Sequence, residues 1–139
     1  MTAFDNAQKF FDACETGKGW DGCKAHVAAG ASFACQAATL ADVKSVEVYC
    51  EWMKGLVDGP LPDGRYVLHA DSWDEANSTA TFVATFHGTH TGEGGPVPAT
   101  NKAAASEYVY AIKMDSAGKV AQMTKIWNDG YALAQLGWV

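Results

Sequence analysis

The hydrophobic pattern of this chain changes its period once, at a loop of glycine and proline residues spanning 59–64. Before this loop, apolar residues recur at intervals of three and four, as they do along one face of an α-helix. After it, apolar and polar residues alternate, as they do in a β-strand with one buried face. Helices followed by strands with short turns predict an α+β fold. We expect one curved antiparallel sheet wrapped around N-terminal helices, a cone that encloses a pocket.

The same pattern places the individual elements along the 139 residues, a length typical of one domain, so we predict a single domain over 1–139. Thr2 is a suitable N-cap for the first helix, and Ala41 or Asp42 would cap the third. The predicted helices span 2–16, 20–28 and 42–57, with a short strand at 31–36 and a last short helix after residue 130. The remaining predicted strands span 66–73, 79–90, 103–114 and 120–127.

Composition and charge argue against several classes of protein. Hydrophobic residues make up 48% of the chain and charged residues 19%, which predicts a globular rather than a disordered chain. A net charge of −6 without a basic cluster argues against nucleic-acid binding. No apolar run reaches the length of a membrane span, and the N-terminal residues do not form a signal-peptide pattern. We therefore expect a cytoplasmic protein without nucleic-acid or membrane partners.

The cysteines and histidines show no metal-ligand spacing along the sequence. His87 and His90 lie three residues apart on one predicted strand, so they point to opposite faces and cannot bind one metal ion together. The sequence thus predicts reduced thiols, no metal site and no cofactor. A C-x-x-C pair is absent from the cysteines, which fall in different predicted elements: Cys14, Cys23, Cys35 and Cys50.

The last predicted strand, 120–127, carries a charged group on an otherwise apolar face. Met123, Lys125 and Trp127 share that face because alternate residues of a strand point the same way. If the face lines the interior of the cone, desolvation lowers the pKa of the Lys125 amine. The alternative is a solvated lysine whose stem covers apolar surface while its amine reaches water or a carboxylate such as Glu107.

Four stretches of the chain resemble a known family, and together they run nearly from end to end. They are Ala-Cys-Glu-Thr-Gly at 13–17, Gly-Thr-His-Thr-Gly at 88–92, Pro-Val-Pro-Ala-Thr-Asn-Lys at 96–102, and Gly-Lys-Val at 118–120 with Leu-Ala-Gln-Leu-Gly at 133–137. In these stretches the chain resembles the SnoaL-like polyketide cyclases of the nuclear transport factor 2-like superfamily. The resemblance implies a cone-shaped α+β fold, usually a homodimer, and a hydrophobic pocket.

The resemblance also implies where site residues lie. Family cyclases use an aspartate on the closing strand as general acid/base for an intramolecular aldol closure, and Lys125 occupies that position here. A pocket histidine of the preceding strand is matched by Tyr110, and a polar pocket residue two positions earlier by Tyr108. The histidine of the Gly-Thr-His segment is retained as His90. The scaffold therefore matches, while the acid/base residues differ.

From the pattern and the resemblance we predict Lys125, Asp129 and His90 as catalytic residues. Asp129 could instead cap the last helix, with Asn128 as a rival cap, and His90 could simply close a strand end. Two tyrosine hydroxyls and an ammonium could hold a carbonyl or enolate oxygen, although the tyrosines could also be ordinary core aromatics. The predicted ligand-binding residues are Tyr108, Tyr110, Trp127, Met123, Trp52 and Phe86.

The leading functional hypothesis is a small-molecule-pocket protein that binds or acts on a hydrophobic, carbonyl-bearing, polyketide-like ligand. As an enzyme, it would be a metal-free and cofactor-free cyclase, isomerase or hydrolase that uses acid/base chemistry. The alternative is a non-catalytic ligand-binding or subunit-association module, because one fold carries many functions. A strand face with Val83, Thr85, His87 and Thr89 would leave apolar surface open, which indicates a homodimer.

Overall fold

Helices and strands follow each other in the predicted order in a computed structural model that describes residues 1–139. No helix is both long enough and apolar enough to cross a membrane. The helices are α1 (Ala3–Glu15), α2 (Gly19–Cys23), α3 (Val46–Asp58) and α4 (Asp129–Leu136), with 3-10 turns at Lys24–His26 and Ala38–Leu40. The strands are β1 (Val27–Cys35), β2 (Arg65–Asp74), β3 (Thr79–Thr89), β4 (Ala103–Met114) and β5 (Val120–Trp127).

The five strands form one sheet in the order β1-β5-β4-β3-β2. The three pairs from β2 to β5 are antiparallel, with short turns between β2 and β3 and between β4 and β5, and a longer loop between β3 and β4. β1 pairs with β5 in parallel, so the sheet is mixed and the expectation of a wholly antiparallel sheet is wrong for this edge. Parallel pairing is possible here because α3 and three strands separate β1 from β5 along the chain. The α+β class is confirmed.

The predicted helix over 20–28 is wrong beyond its first turn. α2 ends at Cys23, and a 3-10 turn leads directly into β1 at Val27. Two of the five residues of α2 are glycines, which weaken a helix. From Ala31 to Phe33 buried and exposed residues alternate along β1, as they do in a strand with one buried face.

The helix ends show why boundaries are harder to predict than elements. Thr2 caps α1 as predicted, through a capping box in which Thr2 and Asp5 each accept a hydrogen bond from the other's backbone N–H. The predicted cap of α3 is wrong, because this helix begins later, at Val46. Ser45 is its N-cap, and the Ser45 hydroxyl accepts a hydrogen bond from the backbone N–H of Val48.

The sheet curves around α1 and α3, and its inner face forms the core with them. The Phe11 ring of α1 stacks on Phe82 of β3 with ring centroids 4.5 Å apart. Phe33 of β1 stacks in the same way on Tyr49 of α3, at 4.4 Å. α4 packs against β4 and covers one end of this interior. The inner faces of β4 and β5 therefore point into a space closed by helices.

Candidate active site

Lys125 points into the interior of the cone. It is only 6% exposed, and Met123 on the same face of β5 is fully buried, whereas Ile126 on the opposite face is 63% exposed. Glu107 is exposed on the outer face of β4 and does not contact Lys125. The solvated-lysine interpretation is therefore wrong, because strand alternation turns this side chain inward.

Aromatic side chains surround the Lys125 amine. Nζ lies 4.2 Å from the centroid of the Trp127 ring and donates a hydrogen bond of 3.0 Å to the Tyr49 hydroxyl. Such contacts partly compensate a cation for lost water. Burial nevertheless lowers the pKa of Lys125 to about 8, while the nearby Glu15 carboxylate opposes that shift. Four further rings have centroids 5.2–5.8 Å from Nζ: Tyr49, Trp52, Tyr108 and Tyr110.

Glu15, the last residue of α1, supplies an acid to the same interior. It is only 1% exposed, and the Tyr110 hydroxyl donates a 2.5 Å hydrogen bond to its carboxylate. Burial raises the pKa of Glu15, and the Lys125 charge and the tyrosine hydroxyls oppose the shift. Tyr49 and Tyr110 also share a hydrogen bond between their hydroxyls, so a continuous chain links Lys125, Tyr49, Tyr110 and Glu15.

A small cavity lies between the acid and the amine. Its volume is about 30 Å³, enough for a water molecule or one small polar group of a ligand. Glu15 and Lys125 both line it and form no direct ion pair with each other. Tyr108 also lines it, and its buried hydroxyl is close enough to Glu15 to affect that carboxylate's pKa but forms no hydrogen bond of good geometry. A buried hydroxyl without a partner is unfavourable, which makes this cavity a place where a polar atom would be stabilised.

An apolar cavity of about 60 Å³ adjoins the first and continues it towards α4. Trp52, Leu56, Phe86 and Trp127 line both cavities, so the two are separated only by side chains. The outer one is bounded by the C-terminal segment, through Ala132, Leu133, Leu136 and Trp138. The arrangement is apolar near the end of the cone and polar at its depth, as in many small-molecule sites.

His90 lies apart from Lys125, at the end of β3. It is fully buried, while His87 is on the outer face. Both ring nitrogens are occupied, because Nδ1 accepts from the Trp138 indole at 2.9 Å and Nε2 lies 2.9 Å from the Gly94 carbonyl. This pairing makes Nε2 the protonated nitrogen. His90 thus fastens the C-terminal Trp138, a wall of the outer cavity, to the 91–102 loop.

Asp129 is not brought to the Lys125 amine either. Its carboxylate accepts hydrogen bonds from the Thr39 backbone N–H at 2.9 Å and from the Thr39 hydroxyl at 2.7 Å, and these lower the pKa of Asp129. The rival Asn128 is the N-cap of α4. Asp129 and Lys125 both border an open cleft of about 560 Å³ beside the ends of β1 and β5, but Thr39 holds the Asp129 carboxylate while the Lys125 amine donates to Tyr49 in the aromatic interior.

The predicted ligand-binding residues divide into three groups. Those that line the interior cavities are Tyr108, Trp127, Trp52 and Phe86. Tyr110 lies behind the inner cavity, where its hydroxyl holds Glu15. Met123 is part of the core and lines neither cavity.

Sequence reasoning missed Glu15 and Tyr49, both of which come from helices. Glu15 continues the spacing of Ala7 and Phe11, four residues apart on the apolar face of α1, and a carboxylate in an apolar stripe is the signal that could have identified it. Tyr49 follows Val46 by three residues on the buried face of α3. Its ring resembles any core aromatic in the sequence, so nothing there marks its hydroxyl as a partner of Lys125.

Comparisons with family models and with curated proteins find no match. Solved structures do match: IdmH of Streptomyces antibioticus, described as a proposed polyketide cyclase, has a TM-score of 0.77 at 16% identity, with 99% of each chain covered. AclR of Streptomyces galilaeus, described as a proposed hydroxylase, has a TM-score of 0.76 at 17% identity, covering 99% of this chain and 85% of that one. A proposed SnoaL-like polyketide cyclase from Jannaschia sp. CCS1 has a TM-score of 0.73 at 16% identity, covering 94% and 90%.

These similarities concern the backbone. At such identities the side chains of the site are this chain's own, and the descriptions of the neighbours differ between cyclase and hydroxylase. The curved sheet around N-terminal helices is shared over nearly the whole length. The chain thus has the same curved α+β fold as these solved proteins, whose descriptions include SnoaL-like and NTF2-like.

Proposed function

We propose that the interior of the cone binds a hydrophobic, carbonyl-bearing ligand of the polyketide-like class and that Glu15 and Lys125 act on it as an acid/base pair. The observation that carries the proposal is the buried Lys125 amine facing Glu15 across a cavity with an unpartnered Tyr108 hydroxyl. Buried titratable groups that face each other in an apolar cavity are characteristic of catalytic sites. The similarity to proposed polyketide cyclases supports the ligand class.

In the proposed reaction the Glu15 carboxylate, held by Tyr110, removes a proton from the carbon next to the ligand's carbonyl group. The electron pair of the broken C–H bond moves to the carbonyl oxygen and forms an enolate. The Lys125 ammonium and the Tyr108 hydroxyl donate hydrogen bonds to that oxygen as its charge develops. The raised pKa of Glu15 brings this base closer to neutral pH, where proton transfer is most effective.

The enolate has two outcomes, and both need only protons. In a cyclase its carbon attacks a second carbonyl of the same ligand, a C–C bond forms, and Glu15 returns its proton to the resulting alkoxide. In an isomerase the enolate is protonated at another carbon instead. Either outcome leaves Glu15 and Lys125 in their starting protonation states, so the chain's own groups complete the cycle.

The ligand must enlarge the interior to enter. The two cavities measure about 30 and 60 Å³, below the roughly 300 Å³ at which small-molecule sites begin. The separating side chains, Trp52 and Phe86 among them, and the segment with α4 and Trp138 are the parts that would move. Covering segments of this kind commonly open and close around a substrate.

A non-catalytic ligand-binding module is the second candidate. One observation favours it, because Lys125 and Glu15 are already engaged by Tyr49, Tyr110 and the Trp127 ring. In that case the charged groups would orient a ligand without exchanging protons with it. Binding without proton transfer is the property that separates the two candidates.

Proton exchange in a simple ketone tests the proposal. The probe is α-tetralone, a two-ring aromatic ketone with one enolisable CH₂ group, and ¹H NMR in D₂O follows the loss of its α-protons. We expect the protein to accelerate this exchange and expect binding to quench the fluorescence of Trp52, Trp127 and Trp138, which line the cavities. Quenching without accelerated exchange would favour the binding module, and the absence of both would contradict the proposal.

We also propose a homodimer formed through the outer face of the sheet. Val67 is 47% exposed there, Val83 and Val109 are half-buried, and Ile126 is 63% exposed, so the face carries an exposed apolar patch. Sedimentation at micromolar concentration is expected to give twice the chain mass. Val109→Lys should shift the protein to a monomer, whereas Val48→Lys, on the surface of α3, should not. A monomeric wild type would contradict this proposal.

A further inference from the structure

Three cysteines meet beneath the short helix α2. The Sγ atoms of Cys14, Cys23 and Cys50 all lie within 4.8 Å of one another, and those of Cys14 and Cys50 are 4.0 Å apart. Each side chain is fully buried, and none forms a disulfide. They come from α1, α2 and α3, which pack against one another at this point. Sequence spacing gives no sign of the cluster because each helix contributes a single cysteine.

The spacing of the sulfur atoms suits one central metal ion. A metal–sulfur bond of about 2.3 Å places three sulfurs about 4 Å apart around an ion that lies in their plane. The Cys14–Cys50 separation has this value, and the other two pairs need to shorten by less than about 1 Å. The cluster is therefore nearly arranged for three-coordinate binding.

We propose that Cys14, Cys23 and Cys50 form a binding site for a soft, thiophilic cation, with Cu(I) as the matching ion. No histidine, aspartate or glutamate ligand atom joins the three sulfurs. Structural zinc sites require four ligands, whereas thiolate sulfur selects Cu(I). Binding releases to solvent the protons of the thiols that coordinate, and no oxidant or reductant takes part. This proposal does not depend on the proposed function.

The pKa values of the three thiols are shifted in different directions. Hydrogen bonds from Cys14 and Cys50 lower the pKa of Cys23, while the pKa values of Cys14 and Cys50 are raised in turn. A thiolate is the form that binds metal, so binding removes the protons of the coordinating thiols. Cys23 lies at the end of a five-residue helix, an element short enough to open locally and admit an ion.

Copper transfer from a coloured chelator tests the site. Reduced wild-type protein is titrated under argon into the Cu(I) complex of bicinchoninate, and the loss of absorbance gives the stoichiometry. We expect one Cu(I) per chain, and X-ray absorption of the loaded protein should show three sulfur neighbours at about 2.3 Å. These measurements use only the wild type, so they do not depend on whether a variant folds.

Two variants assign the ligands. Cys23→Ala should weaken Cu(I) binding by more than the roughly 100-fold that loss of an outer-shell partner costs. Cys35→Ala is the matched control, because Cys35 lies on β1 outside the cluster, and its binding should equal that of the wild type. Failure of the wild type to take Cu(I) from the chelator, undiminished binding by Cys23→Ala, or tighter binding of Zn(II) than of Cu(I) would overturn the proposal.

Discussion

Lys125→Met is expected to slow the protein-catalysed exchange of α-tetralone protons by about 100-fold, the usual cost of removing one donor to a developing oxyanion. Methionine keeps the length of the stem against Trp127 and removes only the charged end. Ketone binding, measured by tryptophan fluorescence, should weaken far less than exchange. Lys113→Met, an exposed residue of β4, is the matched control and should leave exchange unchanged. Exchange at the wild-type rate in Lys125→Met would remove this amine from the reaction.

The same variant is expected to change how stability depends on pH. The pKa of Lys125 is about 8 in the folded chain and 10.5 for an ordinary lysine. Between these values the unfolded chain binds more protons, so this residue makes the free energy of unfolding rise with pH. From pH 8 to pH 10 wild-type stability should increase by roughly 2 kcal/mol relative to Lys125→Met, measured by urea unfolding. A difference between the two proteins that does not vary with pH would contradict the burial of a titrating amine.

Glu15→Gln is expected to reduce α-tetralone exchange by at least about 100-fold, because it replaces the proposed base with a side chain that cannot accept the proton. Glutamine keeps the shape and still accepts the hydrogen bond from Tyr110. Glu107→Gln, a substitution on the outer face, is the control and should accelerate α-tetralone exchange as much as the wild type does. Retained exchange in Glu15→Gln, with ketone binding intact, would assign the base to another group.

Combining the two substitutions tests whether the groups depend on each other. Each single variant leaves one ionisable group in the interior without its counter-charge. This should lower the free energy of unfolding by roughly 2 kcal/mol, less than the roughly 3–5 kcal/mol typical of a broken buried pair, because the remaining group can become neutral. Glu15→Gln with Lys125→Met should recover most of that loss. Strictly additive losses would show that the two groups act independently.

The strands of the site were predictable because alternation leaves little choice. Once Lys125 and Trp127 are assigned to one face of β5, the antiparallel register with β4 places Tyr110 beside Lys125 and Tyr108 beside Trp127. The family resemblance identifies the same pair of strands. The inward lysine and its tyrosine neighbours therefore follow from the sequence.

The partners from the helices were not predictable in the same way. Whether Glu15 reaches Lys125 depends on how α1 rotates and where it ends, and the spacing of apolar residues fixes neither to within one side chain. His90 and Asp129 were predicted as catalytic residues but lie away from the Lys125 amine. Both lie at strand or helix ends, where the path of the chain turns. Local hydrogen bonds to Trp138 and Thr39 hold them there, away from the amine.

The titration of Lys125 tests most directly the claim that it forms a coupled acid/base pair with Glu15. NMR of protein labelled with ¹³C-lysine resolves each Cε signal, and Lys125→Met assigns the one that disappears. We expect a midpoint near pH 8, well below the 10.5 of an ordinary lysine, and a further fall in Glu15→Gln because the neighbouring negative charge is lost. A midpoint near 10.5 that does not move in Glu15→Gln would contradict the coupled pair.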